Sequence, residues 1–295
     1  MKPFNFFSPR TLAEASRILA DHNGNGRALA GGTDLLIRMK RGQWTPRAVV
    51  SLNRIAGLNE IALNGELKLG ARVTLNQLIR SPIIREYFPV LAATARNMAG
   101  VQVRTLATVG GNLCNASPSA DMSPPLMALN ARAVIVGANG ERVVSLDEFF
   151  VGPGKSVLQS DEILRELIVP YNSRAARASY KKLEHRAAMD IAMVGVGVYT
   201  ETGGQVKGAP PNCIEARIVL GAVAPTPIRA KRAEEILRGN LLNEENIAHA
   251  ARIAAEEARP IDDVRSSAWY RREMVEALTR RQLMEIRDLR LEIGD

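Results

Sequence analysis

Thr108-Val-Gly-Gly-Asn-Leu-Cys-Asn-Ala-Ser-Pro-Ser-Ala-Asp121 is the stretch whose reading decides the fold, and it has a sister upstream, Ala28-Leu-Ala-Gly-Gly-Thr-Asp-Leu35. Each sets two adjacent glycines after a short apolar run, with Thr or Asn next and a carboxylate close behind. Glycine has no Cβ, so it takes positive φ and lets a ligand approach the backbone. Successive exposed N–H groups in such a bend form a nest for an anion, commonly a phosphate. One pair alone is weak evidence, because a plain turn is the commoner explanation. Two, each followed by side chains fit to hold hydroxyls, point to one ligand carrying a diphosphate and sugars.

Working outward, Thr11 and Glu14 form a capping box for a helix whose stripe is Leu12, Ala15 and Leu19, with Gly24 at the exit. Arg27-Ala-Leu-Ala reads as a strand entering the first glycine loop, and Leu35-Leu-Ile-Arg-Met-Lys as a helix leaving it. Strand, loop and helix in that order turn N–H groups towards one anion. A dinucleotide-binding Rossmann turn is excluded, because after Gly24-Asn-Gly26 the third glycine is replaced by Leu29. Beyond Pro46 the pattern becomes β, with Asn-Gly hairpins at Asn64-Gly65 and Asn139-Gly140. Thr74-Leu-Asn-Gln and Ser81-Pro82 open helices, 90–98 is helical, and Ser123 is an N-cap with Pro124 at the first helical position.

Residues 162–170 read as a strand, and the polar stretch 171–178 marks a domain boundary dividing 1–175 from 176–295. Strands follow at 179–183, 191–200 and 214–222, with a Gly203-Gly204 turn; helices follow at 229–237, 243–258 and from Asp262 onward. In the last helix Val264, Ala268, Val275, Leu278, Ile286 and Leu289 share one face, and Arg271 and Gln282 interrupt it, as expected of a face that meets a partner as well as a core.

Composition narrows the function. With 295 residues and 46% hydrophobic content the chain can bury the cores of two domains. No apolar run reaches the ~18 residues of a membrane span, and no signal-peptide h-region is present, which places the protein in the cytoplasm. Cys114 and Cys213 are the only cysteines, so a disulfide framework and a four-cysteine cluster are excluded; three scattered histidines argue against a metal centre. The net charge of +8 does not imply nucleic acid: arginines 271, 272, 280, 281, 287 and 290 alternate with carboxylates, and only 4% of residues are aromatic. Gly-x-Ser-x-Gly, His-Glu-x-x-His, P-loop and Cys-x-x-Cys motifs are all missing. Asp34 and Asp121 read as solvated or ribose-binding carboxylates rather than an acid–base pair. The chain is built to hold a diphosphate cofactor that does the chemistry.

Ala-Gly-Gly-Thr-Asp-Leu followed about eighty residues later by Thr-Val-Gly-Gly-Asn-x-x-x-Ala-Ser-Pro-x-x-Asp resembles the FAD-binding medium subunit of molybdenum hydroxylases. That family includes the flavoprotein subunit of aerobic carbon monoxide dehydrogenase and the flavin domain of xanthine dehydrogenase. The likeness takes in Gln102-Val-Arg, Asp161-Glu-Ile-Leu, Tyr180-Lys181 and Asp190-Ile-Ala, and so covers nearly the whole chain.

The resemblance implies an α+β fold of the PCMH (vanillyl-alcohol-oxidase) type: two FAD-binding subdomains, about 1–55 and 56–175, then a C-terminal domain over 176–295 of a three-stranded antiparallel sheet and a helical bundle. It further implies that Ala28, Leu29, Ala30, Gly31, Gly32, Thr33, Asp34 and Leu35 line the diphosphate. Thr108, Val109, Gly110, Gly111 and Asn112 would be a second cradle, with Asn115 and Ser117 beyond it and Asp121 on ribose or adenine-side hydroxyls. Leu164 would lie near the flavin, and Lys181 would reach the isoalloxazine, where a cation stabilises the reduced ring. On their own, Leu164 reads as a core residue and Lys181 as a solvated strand lysine. Met98 stands where some relatives place an aromatic against the cofactor, a thioether contact replacing a stack. Cys114 reads as a small buried filler. The iron–sulfur insertion of the benzoyl-CoA-reductase branch is absent.

In function the resemblance implies an electron-transfer subunit of an oxidoreductase complex, without catalytic residues of its own. A large molybdopterin subunit would oxidise substrate, and a small [2Fe–2S] subunit would deliver electrons to FAD here, for NAD⁺, O₂ or a quinone, in a dimer of heterotrimers. A self-contained flavin reductase of the UDP-sugar enolpyruvyl type, and a non-catalytic nucleotide-binding assembly subunit, are the competing readings.

Overall fold

Ala48–Ser51, a strand with all four residues buried, runs through the centre of a three-stranded parallel sheet between Asn5–Phe7 and Gly26–Leu29. Burial on both faces is what a central parallel strand requires, and Ala-Val-Val-Ser supplies it. The protein's structure is a computed structural model that describes residues 1–171, 176–186, 189–203 and 209–292, the side chains of 290–292 excepted. Part of the expected boundary stretch 171–178 and Gly204 of the expected turn lie outside the described residues.

The chain forms two units, Met1–Ala116 with Ala131–Pro170, and Ser117–Asn130 with Tyr171–Asp295. In the first, helix Leu12–Asp21 begins where Thr11 Oγ1 accepts the Glu14 N–H at 3.1 Å. The reciprocal half of the expected box is displaced by one residue, since the Glu14 carboxylate takes the N–H of Arg10. Ala15 and Leu19 of this helix pack with Val50, Leu52 and Ile163, joining the parallel sheet to the next layer.

That layer is a five-stranded antiparallel sheet in the order Ile61–Asn64, Glu66–Gly70, Ile163–Pro170, Arg132–Gly137, Gly140–Ser145. Both expected Asn-Gly hairpins are there, with φ of +73° at Gly65 and +111° at Gly140. Strand Ile163–Pro170 returns to the middle of the sheet, pairing with Glu66–Gly70 on one side and Arg132–Gly137 on the other. Thr74 and Gln77 complete a capping box for helix Leu75–Arg80, and Ser81 caps Pro82–Tyr87.

In the second unit, strands Ala176–Leu183, Val194–Gly203 and Asn212–Gly221 make an antiparallel sheet to which a short fourth strand, Ile228–Arg229, is added. Helix Ser123–Ala128 lies against this sheet, and a Cβ at Gly197 would stand 2.8 Å from the Pro124 carbonyl oxygen. Ser123 begins this helix rather than capping it; the N-cap is Met122, and the Ser123 hydroxyl is buried.

Helices Lys231–Leu237, Glu244–Glu257 and Ala268–Glu292 complete the unit. The last starts later than its periodicity suggests. Val264 lies ahead of it, 99% exposed, while Asp262 accepts the Ala268 N–H at its first turn. Arg271 and Gln282, expected to interrupt a partner-facing stripe, are buried and bonded within the unit. Arg271 pairs with Asp263 at 2.7 Å and donates to the Ala222 carbonyl, and Gln282 bridges Ser179 and the Val196 carbonyl.

Candidate functional site

The first unit encloses a cavity of about 590 Å³, in the size range of small-molecule and cofactor sites. Its floor is the loop Ala30–Asp34, between strand Gly26–Leu29 and helix Leu35–Lys40. The backbone N–H groups of Gly31, Gly32, Thr33 and Asp34 meet no acceptor among the described residues. Gly31, Gly32 and Thr33 are half-buried and Asp34 is exposed, so this row of open donors faces the cavity in the manner of an anion nest. Gly32 takes φ of +74°. At Gly31 the constraint is space: a Cβ there would lie 1.9 Å from the Leu106 carbonyl oxygen.

The second glycine pair behaves differently from the expected cradle. It opens a helix, Val109–Asn115, that Thr108 caps through a bond from the Gly111 N–H at 3.0 Å. Val109 donates to Val73 O, Gly110 to Ala71 O and Asn112 to Thr108 O, so all four of these N–H groups are already engaged. Gly110 is glycine because a Cβ would meet Ala71 O at 2.5 Å. What this helix offers the cavity is side chains. Asn112 lies in the wall with a buried Oδ1 that has no partner among the described residues. Asn115 links the two motifs, accepting from Arg38 at 2.8 Å and donating to Asp34 at 3.3 Å.

Of the other expected residues, Ala28, Leu35, Met98, Thr108 and Leu164 line the cavity. Leu29 packs beside the Leu35, Met39 and Val49 cluster, and Val109 is core. Cys114, read as a buried filler, has its surface in the cavity wall, and desolvation there pushes its thiol up to about 12. Asp34, exposed at the surface of the cavity wall, has its pKa raised by desolvation, with Arg38 pulling it back.

Ser117, Asp121 and Lys181 belong to the second unit. Asp121 is buried, not solvated: desolvation raises its pKa, while Lys182 and Tyr180 lower it. It accepts from Tyr180 at 2.7 Å and from Lys182 at 3.2 Å, and Lys182 also meets Glu184 at 2.9 Å. Strand alternation explains the sorting. Tyr180 and Lys182 share the face bearing Asp121, and Lys181 on the other face pairs with Glu285.

Sequence reading missed Arg27, Trp44, Arg72 and Glu162, all in the cavity wall. Arg72 has a buried Nε without a partner, and burial lowers its pKa. Glu162 is gripped by Arg142 at 2.7 and 2.8 Å and accepts from the Gln159 N–H. The wall is thus rich in cations and in unmet donors, with an unmet acceptor at Asn112. A ligand combining a diphosphate with hydrogen-bonding rings meets all of these.

A parallel-sheet lobe joined to an antiparallel sheet, with a nest of free N–H groups in a deep cavity, defines a dinucleotide-binding flavoprotein type of fold. Residues 2–172 match the family model described as the FAD binding domain in molybdopterin dehydrogenase, and residues 178–286 match the CO dehydrogenase flavoprotein C-terminal domain. The putative xanthine dehydrogenase FAD-binding subunit of Escherichia coli (strain K12) is 34% identical over 93% of both chains. The carbon monoxide dehydrogenase medium chain of Hydrogenophaga pseudoflava is 31% identical over 95% of this chain and 96% of its own. A solved carbon monoxide dehydrogenase structure from that organism superposes with a TM-score of 0.91, at 31% identity, covering 98% of this chain and 99% of the other. The chain belongs to the family of FAD-binding subunits of molybdenum hydroxylases, oxidoreductases in which this subunit holds FAD.

Among the described residues no helix is long and apolar enough to cross a membrane, and no cluster of metal-ligating side chains occurs.

Proposed function

We propose that this chain relays electrons within a larger complex, taking them from a [2Fe–2S] partner subunit and passing them to NAD⁺, O₂ or a quinone-type acceptor. A large molybdopterin-binding partner oxidises the substrate, and the assembly is a cytoplasmic dimer of heterotrimers. FAD supplies the exchange of one and two electrons that such a relay needs.

The chain's own residues bind and orient. The free N–H groups of Gly31 to Asp34 hold the diphosphate, and this row of donors is the observation that carries the reading. Asn112 Oδ1 and Arg72 Nε offer an acceptor and a charged donor to the cofactor's polar edges. Met98 and Leu164 exclude water with apolar surface. Thr108, Gly110 and Gly111 shape the opposing wall, and Asn115 couples it to the loop. In the second unit Asp121, with Tyr180 and Lys182 bonded to it, forms a buried polar group.

The recombinant chain purified alone tests this. It is expected to be yellow, to oxidise no organic substrate, and to be reoxidised by an acceptor after photoreduction. A chain that stays colourless when offered FAD, or one that turns over NADPH with a sugar-nucleotide substrate unaided, would remove the relay role.

A further inference from the structure

We propose that Arg27, Trp44 and Arg38 form a cation–indole–cation clamp that neutralises the diphosphate of the bound dinucleotide; the proposal rests on the cavity being the FAD site. The guanidinium carbons of Arg27 and Arg38 stand 5.3 and 4.4 Å from the centroid of one indole ring. Both distances are within the ~6 Å over which a cation is held by an aromatic face.

Each member is fixed independently. Trp44 packs against the cluster of Leu35, Met39 and Val49. Arg27 Nη1 donates to the carbonyls of Gly24 and Gly26 at 3.0 and 2.9 Å. Arg38 Nη2 donates to Asn115 Oδ1 at 2.8 Å. A clamp ordered in advance loses little side-chain entropy when its ligand arrives.

The charges are what call for a ligand. Among the described residues neither Arg27 nor Arg38 has a carboxylate within the 4.0 Å of an ion pair, although the chain forms many such pairs elsewhere; the nearest claim on Arg38 is the longer-range pull of Asp34, which shares Asn115 with it. Two guanidiniums gathered at one ring repel each other. Arg27 and Trp44 line the same cavity as the free N–H groups of Gly31 and Gly32. Arg27 brings its charge into that wall, and Arg38 is tied to it through the shared indole and through Asn115, itself in the wall; the ligand charge that offsets the pair is a doubly negative diphosphate. Planar guanidinium groups suit its oxygens, which they meet two at a time.

The clamp is tested on the full-length chain stripped of flavin and carrying Trp269→Phe, so that Trp44 is the only indole. ADP and adenosine are titrated separately while Trp44 emission is followed, and FAD uptake is measured by absorbance. The expected result is that ADP quenches Trp44 with an affinity that falls as salt rises. Arg27→Gln and Arg38→Gln should each weaken ADP about tenfold or more, the size of a lost charge-assisted contact, and leave adenosine unaffected. Arg27→Lys should recover part of the ADP affinity, since it keeps the charge but not the planar fork. If the parent takes up FAD and the two glutamine variants bind ADP and FAD as tightly as it does, the clamp is wrong and the FAD site stands. If the parent itself takes up neither FAD nor ADP, both fall together.

Discussion

Asn115 Nδ2 donates to Asp34 Oδ1 at 3.3 Å, so two side chains 81 positions apart tie the far end of one glycine motif to the end of the other. The same Asn115 accepts from Arg38, which makes it the joint between the loop that bears the free N–H groups and the helix facing it. Asn115→Leu removes both bonds and leaves Arg38 and Asp34 without their amide partner. FAD affinity should fall roughly tenfold, in line with about 1–2 kcal/mol for lost hydrogen bonds to charged groups. Thermal stability of the flavin-free chain should change far less. Equilibrium dialysis beside a melting curve separates the two, and equal losses in both would show that Asn115 is only structural.

Gly31, Gly110 and Gly111, three of the glycines at the cavity, should respond differently to the same substitution. At Gly31 a methyl collides with Leu106 O, and at Gly110 with Ala71 O, both backbone atoms that cannot step aside. At Gly111 the nearest atom is the Thr108 hydroxyl at 2.8 Å, which turns on one bond. Gly31→Ala and Gly110→Ala are expected to lose flavin absorbance and to melt early. Gly111→Ala should keep most of its flavin, at about the cost of a lost N-cap, ~1 kcal/mol. A Gly31→Ala chain as yellow and stable as the parent would contradict the close approach.

The elements legible in the sequence are those governed by neighbours a few positions away. Thr74 with Gln77 and the two Asn-Gly bends carry their own turn chemistry and appear in full, while of the Thr11 and Glu14 box only the Thr11 half forms. The second glycine pair was misread as a loop because two glycines disfavour a helix by about 1 kcal/mol each. The bond from Gly110 to Ala71 O, 39 positions back, holds the helix in place, and no local pattern encodes it. Trp44 and Arg72 were missed for a related reason: one aromatic and one arginine in unremarkable contexts acquire meaning only when folding brings them to the cavity. Arg271 and Gln282 likewise take their meaning from the fold: they are polar side chains in a helix stripe whose bonding partners, Asp263 and Ser179, lie within their own unit.

Acid should loosen the cavity wall through Glu162. The Arg142 hydrogen bonds, joined by the Gln159 N–H, hold its carboxyl below the ordinary 4.5 despite some desolvation. A depressed folded pKa means that the stabilisation is present above 4.5 and is lost as pH falls through the folded value. Asp34 and Asp121, raised by burial, run the other way: their contribution is present below 3.8 and lost as pH rises through their folded values. A comparison with Arg142→Met isolates Glu162, because the variant keeps both aspartates. The parent's melting temperature should drop more steeply than the variant's below about pH 4.5, and its flavin should be released in the same range. Parallel curves would remove Glu162 from the account.

Lys182 is the counter-charge of a buried group. Its side chain is 5% exposed, and it stands between Asp121 and Glu184. Lys182→Met should destabilise the chain by about 3–5 kcal/mol, the usual cost of stranding a buried charge. Adding Asp121→Asn should recover part of that loss, since the two residues are in direct contact. Lys181→Met, which gives up only a half-exposed pair with Glu285, should change stability by no more than about 1 kcal/mol. Denaturant unfolding of the parent, Lys181→Met, Lys182→Met, Asp121→Asn and the double variant tests the ordering, and additive losses in the double variant would show that Lys182 and Asp121 do not depend on each other.

Cys114 gives a direct report on what fills the cavity. Its surface lies in the cavity wall, and desolvation pushes its thiol up to about 12, so little thiolate exists at neutral pH. A thiolate-requiring disulfide reagent should label the flavin-free chain slowly, at a rate that climbs with pH towards 12. Cys213 is buried with a thiol likewise raised to about 12, and Cys213→Ser leaves Cys114 as the only target. FAD should then block labelling of Cys114 by covering the wall that contains Gly111 and Asn115. Labelling that proceeds at the same rate in saturating FAD would place the dinucleotide elsewhere, because the thiol cannot stay open in a cavity its ligand fills.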